Sequence, residues 1–558
     1  MVEREMPAGR SAHEGLKELL PWLVVSLGAA MYFLRLGEAP IQCGNETMYA
    51  LPPITMLETG DLLVPRYLHG PFLDKPPLTF WLVAASYRLF GVTIFAARLP
   101  GVLAALATIL SIGLWVRRRS GTPAALLAAS CLAFSFKFIA FSRQFAADTF
   151  LTLAVTLSVI ALDSAARREN VSDLRAGALA GGALALSFGF KGLIGIALPV
   201  GAVGLALLLD RCRPIRFGRR AAATALVFVA AVLPWHVAMT QRLGLEFWRI
   251  FYWSNQLVRA TTDYFTSHPR GPLFYLAVLS WGAFPWILFA PAALWKRRRP
   301  STPAGWFLFG LLFLSVLVMK REVYVMPLFP AVAVLAGEYL AEAAGRRLPG
   351  VRLAWIAAAL VCAAGIVLSW RMAPSLSALV GREAPLRLGA ATALLLGATL
   401  FAAFSKLRAA PLLVAAACGA AFLAVLDIET RTARYDPFPA FGQRVRSLCP
   451  AGCEGYRISI QCTSMEYYSR REWVDLIEPR QLLGRVPPEG GFVIVPSRWE
   501  RLIERLGFRI EVLERRPWLE QNWASASLSR GEDPFVSLSL LRVEKPAAAS
   551  RGGGAGGP

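Results

Sequence analysis

The sequence predicts an all-α polytopic membrane protein of about thirteen transmembrane helices with a small C-terminal α/β domain. Three observations carry this. Of 558 residues, 56% are hydrophobic and 17% are charged, where a soluble domain carries about 25% charged residues. The charges gather in short basic runs between apolar stretches of the length a helix needs to cross hydrocarbon, roughly 20 residues. From residue 428 onward the apolar stretches give way to short β-branched and aromatic runs. Backbone groups in lipid find no water to bond, so the apolar stretches must be helices.

In chain order the expected spans are 18–37, 95–116, 121–142, 147–166, 174–190, 191–209, 221–241, 272–295, 302–319, 323–343, 352–373, 386–405 and 408–427, preceded by a cytoplasmic N-terminus at 1–17. The first apolar run, Leu20 to Leu34, continues into Arg35-Leu36-Gly37 without a small-residue cleavage pattern. This predicts a retained span and not a removed signal peptide. Residues 38–94 form a first outer loop. Within it, 77–91 are apolar but short, and a crossing there would turn every later basic run outward. They are therefore expected to form a helix at the outer interface. With the N-terminus in the cytoplasm, Arg117-Arg118-Arg119, Arg167-Arg168, Arg211 to Arg220, Lys296 to Arg299, Arg346-Arg347 and Lys406 with Arg408 all face the cytoplasm, as the positive-inside rule requires.

The tail, 428–545, then lies outside. Its expected strands are Tyr456–Ile460, Gly491–Val495 and Phe508–Val512. Ser497 is expected to cap a helix, with Glu500 completing a capping box. Residues 546–558 are Gly/Ala-rich and expected to be disordered. Cys131, Cys212, Cys362 and Cys418 sit in or beside apolar segments and pack as small apolar groups. Cys449, Cys453 and Cys462 fall in the tail, where an oxidising space permits a disulfide. Cys449 and Cys453 are the nearest pair, although spacing alone leaves the connectivity open.

The net charge of +22 does not indicate nucleic acid, because the basic residues flank apolar spans and form no continuous basic domain. The informative polar residues are those that this topology gathers on the outer face. They are Asn45, Glu46, Asp61, Arg66, His69, Asp74 and Lys75 in the first loop, then Arg143 and Asp148, Lys191, Asn255, Arg259, Asp263 and His268, and finally Lys320, Arg321, Glu322 and Tyr324. An ionisable residue at membrane depth is costly and marks function by default. Some have plainer explanations. Asp61 and Arg66 read as ordinary loop residues, Glu322 as a local partner of Lys320 or Arg321, and Asp148 as a helix N-terminal carboxylate. Lys191 has no acidic neighbour in sequence and calls for an anion. His69, His236 and His268 lack metal-ligand spacing. Carboxylates and several cations together suit a lipid-linked phosphate.

The segments Leu36-Gly37-Glu38-Ala39-Pro40, Asn45-Glu46-Thr47-Met48-Tyr49-Ala50, Met56 to Asp61, Pro65-Arg66 and Phe72-Leu73-Asp74-Lys75-Pro76-Pro77-Leu78 extend this reading. With Arg143 and Asp148, Lys191-Gly192, Leu233-Pro234-Trp235, Asn255 and Arg259, Pro285-Trp286, and Tyr324 with Pro327 and Pro330, they resemble the GT-C glycosyltransferases over residues 18–345. Within that class they resemble the bacterial lipid A aminoarabinose transferases and the protein O-mannosyltransferase superfamily. The resemblance implies a GT-C-like fold in a bacterial inner membrane, with the site and tail in the periplasm. It implies an undecaprenyl-phosphate sugar donor and inverting transfer to lipid A or another envelope glycan, with a protein acceptor as the alternative. Lys75 and Arg259 would grip the donor phosphate, assisted by Tyr324 and Lys191. Asp74 and Asp148 would shape the acceptor and sugar pocket, with Tyr49, Arg143 and Asn255 lining it. Membrane lipids are further partners. No cofactor is required, and a divalent metal near Glu46 and Asp148 is left open.

Asn45-Glu46 departs from the acidic pair of that family. Asn45 stands at the usual catalytic aspartate and cannot accept a proton. Three readings follow: Glu46 or Asp74 takes over as base, the acceptor is already an anion, or transfer is lost and the chain only binds lipid phosphate. A transporter is the competing class. The absence of a repeat between the halves and the charges at the surface, away from the midplane, argue against it.

Overall fold

The computed structural model describes residues 25–41, 45–67, 70–167, 172–210, 218–262, 270–296, 301–344, 349–449, 453–460, 462–519, 523–528 and 534–545. The N-terminus, the start of the first span, the Gly/Ala-rich end, His69, Cys212, Asp263 and His268 lie outside these residues, as do residues 168, 211–217, 297–299 and 346–347 of the basic runs.

Helical residues 25–31 are followed by α1 (Asn45–Thr59), α2 (Leu78–Phe90), α3 (Ile94–Ser120), α4 (Thr122–Ala133), α5 (Phe136–Arg143), α6 (Ala147–Arg167), α7 (Asp173–Lys191), α8 (Leu193–Leu209) and α9 (Gly218–Leu243). After a π-helix at Arg249–Val258 come α10 (Phe274–Gly282), α11 (Ala290–Lys296), α12 (Thr302–Val316), α13 (Phe329–Ala343), α14 (Pro349–Val380), α15 (Glu383–Phe404) and α16 (Ala410–Thr432). Among the described residues the apolar stretches are largely helical, although residues 32–38 at the end of the first form turns. The count of spans differs from thirteen. Among the described residues seven helices are long and apolar enough to cross, or nine if each bent pair is one span. Two expected straight spans are bent, α4 against α5 by 58° and α10 against the segment Trp286–Lys296 by 112°. At the second bend Pro285 has no N–H with which to continue the ladder. Helices α8 and α12, of 17 and 15 residues, are shorter than a straight crossing, because hydropathy measures composition and not the ends set by packing.

Helix α13 is apolar all round and is the centre of the bundle, buried from Phe329 through Leu340. It reaches that depth by close backbone approach. A Cβ on Gly337 would stand 2.4 Å from the Ala128 nitrogen of α4, a small-residue contact of the kind that holds helices together in lipid. By contrast α9 and α15 bury only 17% of their apolar windows and form the outside of the bundle.

Ion pairs mark two ends. Arg119 with Glu338 at 3.1 Å, and Lys296 with Glu342 at 2.6 Å, lie at one end with the basic runs. Asp74, Lys75, Arg259, Asp148 and Lys191 lie at the other. Helix α2, expected as a short surface helix, has 13 residues, about 20 Å at 1.5 Å per residue, and so is too short to cross. It buries Phe80, Val83 and Tyr87 while exposing Trp81, Leu82 and Leu89.

The tail opens with α17 (Phe438–Leu448) and folds around a five-stranded sheet. Its strands are β1 (Gly455–Ile458), β2 (Trp473–Leu476), β3 (Gly491–Pro496), β4 (Arg509–Leu519) and β5 (Phe535–Glu544), in the order β2-β1-β3-β5-β4. The β1 pairings with β2 and β3 are parallel, and those of β5 with β3 and β4 are antiparallel. The expected capping box at Ser497 does not form. The Ser497 hydroxyl instead meets Ser539 on β5 at 2.6 Å, and Glu500 accepts from Arg515 at 2.8 Å. Cys449 and Cys453 form a disulfide, and Cys131, Cys362 and Cys418 are free and buried.

Candidate active site

The loop between α1 and α2 delivers Asp74 and Lys75 to the bundle. Arg66–Tyr67 pairs antiparallel with Gly70–Pro71, and Pro76-Pro77 ends the loop where α2 begins. The Lys75 ammonium is buried and donates to Asp74 Oδ2 at 2.6 Å and to the Asp74 carbonyl at 3.0 Å. The other carboxylate oxygen, Oδ1, accepts from Arg259 Nη1. Arg259 follows directly on the π-helix, whose Asn255 donates from Nδ2 to the Leu73 carbonyl at 3.1 Å. The chain is helical from Leu245 to Thr261, and ten residues in π geometry set Asn255 and Arg259 against the 73–75 turn. Such wide turns recur at functional sites.

A second pair sits beside the first. Asp148 lies in the first turn of α6, and its Oδ1 accepts from Lys191 Nζ, at the end of α7. The acidic partner that Lys191 lacks in sequence is thus supplied 43 residues away. The same ammonium lies 3.9 Å from the centre of the Tyr324 ring, a cation–π contact. The Asp148 Oδ2 has no partner among the described residues. Lys75 is within electrostatic reach of Asp148, and Lys191 of Asp74 and Lys75. Tyr49, stacked on Phe80 and edge-on to Phe145, is within reach of both carboxylates. Three cations (Lys75, Lys191 and Arg259) therefore face two carboxylates, and the cluster carries surplus positive charge.

Burial opposes ionisation of Asp74, but Lys75 and Arg259 outweigh it and hold the carboxyl below its ordinary value of 3.8. Burial pulls the Lys75 ammonium below its ordinary value, with Asp74 opposing. A group with a depressed acid pKa contributes stability above its unfolded value and loses it as pH falls through the folded one. The difference in thermal stability between the parent and Asp74→Asn is therefore expected to stay constant from pH 8 to pH 5. It should close only as pH falls below 3.8. Thermal melts of both proteins across that range test this, and a difference already closing between pH 7 and 5 contradicts the pairing.

Other expected site residues take different positions. Asn45 opens α1, and its side chain lies outside the described residues. Both oxygens of Glu46 are bound: Oε1 accepts from Arg98 Nε at 2.8 Å and from the Phe145 N–H at 2.7 Å, and Oε2 accepts from Arg98 Nη2 at 2.8 Å. Arg98 also donates to the carbonyls of Leu36, Ala39 and Pro40. Arg143 donates to the carbonyls of Met31, Tyr32 and Leu34 and so ties down the first span instead of lining a pocket. Glu322 pairs with Lys137 at 2.6 Å, not with its sequence neighbours, because Lys137 is presented from α5 between the Phe141 and Trp281 rings. The signal for Arg98 was present in the sequence as an arginine inside an apolar span. Nothing local signalled Tyr468 in the tail, whose hydroxyl accepts the Ile41 N–H at 2.8 Å. Its neighbour Tyr467 belongs to the same buried apolar cluster as Tyr49 and Phe145. No group of three His, Cys, Asp or Glu residues that could hold a metal occurs among the described residues.

The fold is that of a polytopic membrane protein of GT-C architecture. A family model described as dolichyl-phosphate-mannose-protein mannosyltransferase matches residues 74–237. Among individual proteins, the chain is 31% identical to an undecaprenyl phosphate-alpha-4-amino-4-deoxy-L-arabinose arabinosyl transferase 2 from Pseudomonas fluorescens, over 58% of this chain and 56% of that one. It is 30% identical to the corresponding arabinosyl transferase of Pseudomonas aeruginosa, over 57% and 59%. The chain thus spans less than two thirds of the length of these relatives. The crystal structure of ArnT from Cupriavidus metallidurans bound to undecaprenyl phosphate superposes with a TM-score of 0.73, at 18% identity, over 94% of this chain and 98% of that one.

Proposed function

We propose that this chain is an inverting glycosyltransferase that takes a sugar from an undecaprenyl-phosphate donor and passes it to lipid A or another envelope glycan. The convergence of Lys75, Arg259 and Lys191 on Asp74 and Asp148 at one end of the bundle carries this reading. The surplus positive charge suits a phosphate, which Arg259 can bind through two N–H groups and Lys75 as a point charge. Tyr324 holds Lys191 by its ring face, and Asn255 fixes the 73–75 turn. In this reading the charged cluster and the tail face the periplasm, residues 428–545 form the outer domain, and the basic runs face the cytoplasm.

The chemistry is direct displacement. The acceptor oxygen forms a bond to the anomeric carbon as the bond from that carbon to the phosphate oxygen breaks. The pair of electrons leaves on the polyprenyl phosphate, where the cations stabilise it. The acceptor proton passes to a carboxylate. We assign that role to Asp148, whose Oδ2 is uncommitted, and we assign Asp74, bridging Lys75 and Arg259, to aligning the cations. Glu46, bound on both oxygens by Arg98 and the Phe145 N–H, positions α1. This division of labour does not need an acid at position 45.

A protein acceptor is the second reading, favoured by the family model that matches residues 74–237. Mass spectrometry of envelope lipids and of glycoproteins, with and without this protein, separates the two. Loss of a sugar from lipid A or a glycan supports the first reading, and loss from serine or threonine of proteins supports the second. No change in either class overturns the transferase.

A further inference from the structure

The end of the bundle opposite the charged cluster holds a crevice of about 950 Å³ between the end of α13, the start of α14 and the turn joining α15 to α16. Its wall is apolar and includes Leu340, Trp355, Ile356 and Phe404. Its rim carries Arg352, Lys406 and Arg408, all exposed. The Arg352 guanidinium lies over the Phe404 ring at 4.8 Å. The rim loop is ordered by the Leu407 N–H, which donates to Ser405 Oγ at 2.9 Å. Among the described residues none of these three cations has a carboxylate partner. Other cations at the same end do, Arg119 with Glu338 and Lys296 with Glu342.

Helix ends in a membrane protein lie at the level of the lipid headgroups. Basic pockets between helices on the cytoplasmic side are suited to anionic headgroups. We propose that this crevice binds an anionic membrane phospholipid, with the phosphate at Arg352, Lys406 and Arg408 and an acyl chain against Trp355, Ile356 and Phe404. The three uncompensated charges select an anionic lipid over a zwitterionic one, whose ammonium would add a further positive charge to the rim. The apolar wall distinguishes a lipid from free phosphate, which could use only the rim. The inference depends on the chain spanning a membrane and not on the transferase reading.

The test uses full-length protein in detergent, titrated with phosphatidylglycerol, phosphatidylcholine or inorganic phosphate and read by native mass spectrometry and thermal unfolding. The parent is expected to retain phosphatidylglycerol selectively and to be stabilised by it. Each cation removed should weaken binding roughly fivefold, so that Arg352→Gln/Lys406→Gln/Arg408→Gln binds about a hundredfold more weakly. Arg352→Gln alone gives the fivefold step should the triple variant fail to fold. Arg242→Gln, an exposed arginine paired with Asp61 at 3.0 Å at the other end, should bind as the parent does. Equal phosphatidylglycerol binding by parent and triple variant, equal binding of phosphatidylcholine, stabilisation by inorganic phosphate alone, or an equal loss in Arg242→Gln overturns the site.

Discussion

Replacing Arg259 with alanine is expected to lower sugar transfer from a polyprenyl-phosphate donor by about two to three orders of magnitude, the usual effect of deleting one preorganised group that stabilises developing charge. The fold should survive. The Arg259 side chain is about one-fifth exposed, and its partner Asp74 keeps Lys75 at 2.6 Å after the deletion. Arg259→Lys restores the charge but not the two-pronged geometry, so it should recover part of the activity and not all. The measurement is the transfer rate with a short-chain donor, beside thermal unfolding and donor affinity for each variant. Parent-like transfer by Arg259→Ala would remove the donor-phosphate assignment. A matching collapse in thermal stability would instead give Arg259 a structural role.

Arg98→Ala is expected to have the largest effect on stability. This arginine is buried, as is Glu46. It bonds both Glu46 oxygens and the carbonyls of Leu36, Ala39 and Pro40. Its removal leaves a buried carboxylate with only the Phe145 N–H from this set and strips three carbonyls of a donor. Breaking a buried pair in this way costs on the order of 3–5 kcal/mol, enough to unfold many proteins outright. Replacing both partners, as Arg98→Met with Glu46→Leu, should recover much of the loss, because neither charge is then left buried alone. Folded yield after extraction and the unfolding temperature of the single and double variants measure this. A single variant as stable as the parent would mean that the clamp does not hold the first loop.

Much of the architecture was legible in the sequence because hydrocarbon allows little choice. A stretch such as Phe329–Ala343, apolar from Phe329 through Gly337, forms a buried helix, and Glu338 near its end had to find partners, as it does in Arg119 and Ser120. The tail strands at 456–460, 491–495 and 508–512 overlap β1, β3 and β4 because alternation and β-branching act locally. Helix lengths and bends were not legible. The 58° and 112° breaks depend on how each segment packs against its neighbours, and a hydropathy window reads through them.

For the site, the sequence alone gathered Asp74, Lys75, Asp148, Lys191 and Arg259 on one face, together with others such as Glu46 and Arg143 that prove to hold the fold. Their pairing was decided only by the tertiary structure. Lys191 meets Asp148 across 43 residues, Arg259 meets Asp74 across 185, and Glu46 is taken by an arginine that the sequence reading did not single out. The physical reason is the range of the forces involved. Hydropathy and helix formation are properties of neighbours along the chain, and so they can be read in order. An ion pair in a low-dielectric interior belongs to whichever groups the packing of distant helices brings within a few ångströms, and no local pattern encodes that meeting.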